Sequence, residues 1–304
     1  MANNKADLTK LGDMDAVYGV VFNLGSLLGR ILFEPIETQS RVQFSKIASH
    51  KLTYDSNPSP QRLHEFKSKW SEAASSLSFR LRALLQISGI IVSLGPAYSW
   101  LLIHILYQSK YSSTDAPYVL QWYCVYVLLM ACNGMLEAFR DAVASPHDLA
   151  TWLTGLMVGT CVMSSVVAYY IVPEYGSVGI VWANSINLLL RIIFSAYFIV
   201  YRGVQPRGVR RGALETLRDS LPHVNVVFCL VVAGITATLA SPGNLEGAGL
   251  WEHGTHVGIG VVCGVAILAT IWFHDITLRE EILSVLKTIL PSRLTRLWGS
   301  RKSS

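Results

Sequence analysis

The chain has 304 residues, of which 51% are hydrophobic and only 15% charged, with a formal net charge of +5 and a mean hydropathy of +0.39. Soluble domains carry about 25% charged residues, so this balance excludes an ordinary soluble protein and points to a chain dissolved mostly in lipid. The five cysteines are odd in number, lie in apolar runs and show no C-x-x-C spacing, which suggests neither a disulfide framework nor a zinc site and points to buried free thiols.

A spanning helix needs about 20 mostly apolar residues. Residues 1–10 are polar and lack the apolar core of a signal peptide. Seven spans are predicted: 16–33 (continuing as a polar helix toward Lys46), 81–107, 119–139, 149–172, 178–201, 224–240 and 256–273. The chain accordingly divides into a first membrane segment (1–48), a polar loop (49–80), a four-helix membrane core (81–201), a basic link (202–221), two C-terminal membrane helices (222–275) and a basic amphipathic tail (276–304). Asn57-Pro58-Ser59-Pro60 marks a turn in the polar loop, and 63–77 has the pattern of a surface helix. Pro173 with Gly176 ends the fourth span, and so short a connection makes its neighbours an antiparallel hairpin. Leu283, Leu286, Ile289 and Leu290 recur at helical spacing among bases, as in an interfacial helix. The predicted architecture is an all-α, polytopic membrane bundle.

Charge orients it. Bases concentrate in 41–82, 202–218 and 279–302, whereas the other side of the bundle holds Lys5, Lys10 and Lys110. That alternation requires an odd number of spans and places the basic segments in the cytosol.

Polar side chains within the spans are the candidate functional residues, because lipid does not solvate them. Asn23, Arg30, Glu34 and Glu37 lie on one broad face of a regular helix. That face is either a hydrated cavity whose Arg30 binds an anion such as a diphosphate, or an Arg30–Glu34 pair that merely eases insertion. Asn133, Glu137, Arg140 and Asp141 end the third span, either as a functional group or as an interfacial ion pair. Asn184, Asn187 and Arg191 form a stripe on the fifth span that faces protein or water, with Arg191 a cavity-lining cation; Gly176, Gly179 and Ala183 lead into it and permit close packing. His253 and His256 have no recognised metal spacing, Asp275 reads as a snorkelling helix end, and no phosphate loop, nucleophile elbow or cofactor motif occurs. The basic tail suits anionic lipid headgroups rather than nucleic acid.

Four strings carry a family resemblance: Phe22-Asn23-Leu24-Gly25-Ser26-Leu27-Leu28-Gly29-Arg30 with Phe33-Glu34-Pro35-Ile36-Glu37; Tyr123-Cys124-Val125-Tyr126-Val127-Leu128-Leu129; Asn133-Gly134-Met135-Leu136-Glu137-Ala138-Phe139; and Gly176-Ser177-Val178-Gly179 through Ala183, Asn184, Asn187 and Arg191. From about Leu11 to Tyr201 they resemble the Rft-type proteins of the endoplasmic reticulum, a eukaryotic branch of the multidrug/oligosaccharidyl-lipid/polysaccharide flippase superfamily. The resemblance implies two six-helix lobes plus two C-terminal helices around an alternately opening cavity. This chain would supply the last five helices of the second lobe and the final two, with the first lobe missing or provided by a separate half. It further implies a role in moving a mannose- and N-acetylglucosamine-bearing diphosphodolichol across the endoplasmic reticulum membrane for N-glycosylation, directly or by assistance. The protein would be a transporter rather than an enzyme, without a cofactor. Alternatives are a membrane-bound sugar transferase using paired carboxylates, and a non-catalytic membrane scaffold. Glu34 departs from the family's usual Gln, and Gly29 from its Ala.

Overall fold

The computed structural model describes residues 2–49, 60–144, 154–201, 210–242 and 249–280, with single positions at 150, 247 and 283. Among these residues all regular structure is helical. The order is α1 (Ala2–Leu28), a π-turn (Gly29–Phe33), α2 (Glu34–Ser49), α3 (Pro60–Tyr107), α4 (Ser109–Ser112), α5 (Ala116–Val143), α6 (Thr154–Tyr201), α7 (Arg210–Asp219), α8 (Val224–Leu239) and α9 (Leu250–His274).

Five of these helical segments are long and apolar enough to cross a membrane, and α8 is a shorter apolar helix. Of the five, α6 is two crossings. Its 48 residues laid end to end would reach about 72 Å, more than twice the hydrocarbon thickness. The chain reverses at Gly176, whose φ of 57° and ψ of −135° lie where only glycine is comfortable. Gly179 then passes so close to Ile171 and Val172 that a Cβ there would sit 3.0 Å from backbone atoms of both. Pro173, which has no N–H to donate, is the last break before the corner. The bundle is therefore a polytopic all-α membrane protein.

The centre is α5. It buries Val119, Tyr123, Val127, Ala131, Met135 and Phe139 against α1, α3 and the second half of α6. The first half of α6 is peripheral, and its Cys161 is exposed rather than buried; all five cysteines are free thiols. Helices α8 and α9 form their own apolar contact through Val226, Ala233, Ile267 and Ile271, and attach to α3 through Ile90 and Leu94.

The helix expected over 63–77 is not a separate surface element. It is the first part of α3, and Trp70, Ala73, Ala74 and Leu77 are buried. Trp70 and Phe44 both stand edge-on to Phe139, at centroid distances of 5.6 and 5.1 Å, so apolar contact holds this extension against α2 and α5. Asp275 differs too. It is 4% exposed, accepts from Gln86 Nε2 at 2.9 Å and lies 3.6 Å from Arg82, so it is held inside the bundle. Its second oxygen caps the turn that follows through the Leu278 N–H. Residues 276–280 and Leu283 are helical; Leu286, Ile289 and Leu290 of the expected tail helix lie outside the described residues.

Candidate functional site

The first membrane segment does not end at Glu34-Pro35. Proline cannot donate to residue 31, and its ring crowds that carbonyl. The helix widens instead: the Glu34 N–H reaches back five residues to the Gly29 carbonyl, and α2 continues beyond. A π-turn holds one residue more than an α-turn, which slips the helical register by about 100°. This separates residues that a regular helix would put on one face. Asn23, Arg30 and Glu34 are exposed, while Phe33, Ser40 and Phe44 are buried and Glu37 turns toward α5.

On the open side Arg30, Glu34, Pro35, Thr38, Gln39, Val42, Gln43 and Lys46 line a groove of about 830 Å³. The Arg30 guanidinium donates back to Ser26 Oγ at 2.8 Å, not forward to Glu34. Behind the groove Arg80, from α3, donates to Ser40 Oγ at 2.8 Å and to the side-chain amide oxygen Oε1 of Gln43, which fixes α2 on α3.

On the bundle side the remaining candidates form a seam of ion pairs. Arg191 donates Nε to Glu137 Oε1 at 2.8 Å and Nη2 to Glu137 Oε2 at 2.7 Å. Arg140 lies 3.7 Å from Glu137, 2.8 Å from Asp141 and donates to Ser195 Oγ at 2.9 Å. Arg41 spans Asp141 Oδ2 at 3.1 Å and Glu37 Oε1 at 2.9 Å. The seam thus runs Arg191–Glu137–Arg140–Asp141–Arg41–Glu37, across α6, α5 and α2, with three guanidinium groups against three carboxylates. Its members balance, so burial is tolerated. Arg140 makes its ion pairs inside the bundle, where its side chain is 1% exposed. Gly134 makes room for the arrangement, since a Cβ there would collide with the Glu37 carboxylate.

The stripe on the second half of α6 is divided among partners. Asn184 Nδ2 donates to the Tyr18 hydroxyl at 3.1 Å. Asn133 and Asn187, one turn before Glu137 and Arg191, bury side-chain oxygens that have no donor among the described residues. Arg191 and Arg30 do not share a cavity: the seam holds one and the groove the other. Arg41 and Ser195 were not visible as candidates. The four-residue step from Glu37 to Arg41 is the signal that marks the first; nothing local marks Ser195. No group of three metal-ligating side chains occurs among the described residues.

These features define a polytopic membrane protein with a charged seam inside its helix bundle and a polar groove along its first membrane segment. The Rft protein family matches residues 11–285, and the chain belongs to that family. It is 33% identical over 267 residues to the Man(5)GlcNAc(2)-PP-dolichol translocation protein RFT1 of Xenopus tropicalis, covering 87% of this chain and 46% of that one. The protein of the same name from Mus musculus is 32% identical over 270 residues, 88% of this chain and 47% of its own; that of Drosophila melanogaster is 29% identical over 254 residues, 83% and 42%. The chain spans about half the length of the curated relatives it matches. No solved structure matches it.

Proposed function

We propose that this chain serves in translocating a mannose-rich, diphosphodolichol-linked oligosaccharide across the endoplasmic reticulum membrane for protein N-glycosylation, by moving the lipid or by assisting its movement. The observation that carries the reading is the groove at Arg30. A guanidinium on the outward face of a membrane helix needs water or an anion beside it, and its planar fork suits phosphate oxygens. Thr38, Gln39 and Gln43, which line the groove, add amides and a hydroxyl suited to a polar head, and Asn23 is exposed two turns before Arg30, while the dolichyl tail stays in lipid. The name of the relatives supplies the ligand. In this reading the protein is a transporter rather than an enzyme, with the segments 49–80, 202–221 and 276–304 on the cytosolic face.

A second reading, a non-catalytic membrane scaffold, draws on the seam, because Glu137 already neutralises Arg191. Expression in a cell depleted of its own Rft protein separates the two. The wild-type chain restores glycosylation of a reporter glycoprotein, and Arg30→Gln does not. Full rescue by Arg30→Gln removes the anion contact and leaves the scaffold.

A further inference from the structure

Arg41 belongs to both features of the first membrane segment. It ends the ion-pair seam through Glu37 and Asp141, yet its side chain is 45% exposed, against 26% for Arg191 and 1% for Arg140. Of the seam's arginines it is the one an outside anion reaches first. Helical geometry sets it at the edge of the groove: Glu34 lines the groove, and the seven residues from there to Arg41 bring the chain back to within about 20° after two turns. Arg30 lies eleven residues before Arg41, about 16 Å along the axis. A diphosphate is much shorter than that, so the two guanidinium groups are successive positions for one anion rather than two walls of one pocket.

Resting on the reading above that an anionic, lipid-linked ligand meets this groove, we infer that Arg41 is the first guanidinium the diphosphate meets, and that it binds by exchanging Glu37 and Asp141 for the diphosphate. The guanidinium fork that grips a carboxylate grips a phosphoryl group equally well. Ion pairs as exposed as Arg41–Glu37 contribute little to a fold, so the exchange costs the bundle little. It also has a mechanical result. Arg41–Asp141 ties α2 to α5, and its release loosens the first membrane segment while the bidentate Glu137–Arg191 pair keeps α5 on α6.

The test is binding of geranylgeranyl diphosphate, and separately of inorganic diphosphate, by the full chain in lipid nanodiscs. Two variants move affinity in opposite directions. Glu37→Gln removes a competitor and tightens binding, whereas Arg41→Gln weakens it about tenfold, the worth of one charged hydrogen-bonded contact. Asp141→Asn also tightens it; should loss of the Arg140 partner unfold that variant, Glu37→Gln, whose carboxylate pairs with Arg41, carries the test. Equal weakening by Glu37→Gln and Arg41→Gln means a structural role and overturns the inference. No effect of either, with binding lost in Arg30→Gln, overturns it while leaving the groove reading intact. Failure of wild type and Glu37→Gln alike to bind either probe overturns both. Equal affinity for the free and prenylated diphosphate overturns the lipid-linked identity of the ligand.

Discussion

Arg191 and Glu137 meet through two parallel hydrogen bonds of 2.8 and 2.7 Å, although 54 residues separate them. The pair joins the second half of α6 to α5, with side chains 26% and 11% exposed. Removing either partner leaves the other charged and largely sequestered. Arg191→Gln and Glu137→Gln are each expected to cost about 1–3 kcal/mol, below the full cost of a wholly buried pair because both side chains keep some exposure. A double-mutant cycle read by thermal unfolding in detergent measures the coupling; additive single effects would mean that the two bonds are not energetically linked.

Gly134 is the place where α5 admits the Glu37 carboxylate. Gly134→Val fills that space and pushes Glu37 off Arg41. The expected loss is about 1–3 kcal/mol from overpacking, seen as a lower unfolding temperature. Combined with Glu37→Ala, the same change should cost less, because the colliding group is gone.

Gly176 turns α6 back on itself with a positive φ. Gly176→Ala is expected to destabilise by about 1–3 kcal/mol, while Gly159→Ala, which meets open space in the first half of the same helix, is expected to be neutral or slightly stabilising. Comparing the two by thermal unfolding separates backbone strain from any general intolerance of α6 to substitution.

The π-turn aims Arg30. Deleting Leu32 returns the segment to regular α-helix and rotates everything before it by about 100°. In a Cys161→Ser background, Arg30→Cys is expected to react with a water-soluble maleimide when the π-turn is present and to lose that reactivity with the deletion. Unchanged labelling would mean that the groove face does not depend on the extra residue.

Orientation has its own check. An N-x-T acceptor inserted in the loop after α8 should be glycosylated in the endoplasmic reticulum, and one inserted in the basic 202–221 link should not. The reverse pattern would invert the proposed topology and place the groove's Lys46 end in the lumen.

The spans were legible in the chain because transfer of a segment into lipid is a local property: each apolar run brings its own insertion energy wherever its neighbours lie. Hydropathy and the break at Pro173 and Gly176 therefore set out the bundle, and the strings around Arg30, Glu137 and Arg191 marked its family. Which charges meet is not local. Arg191 finds Glu137, and Arg41 finds Asp141, only because α2 and α6 both pack on α5, and no spacing along one helix encodes that. A single extra residue in the turn before Pro35 also broke the regular period on which face assignments rest. It moved Arg30 to the open groove and left Glu37 in the seam, a division that only the packed helices could decide.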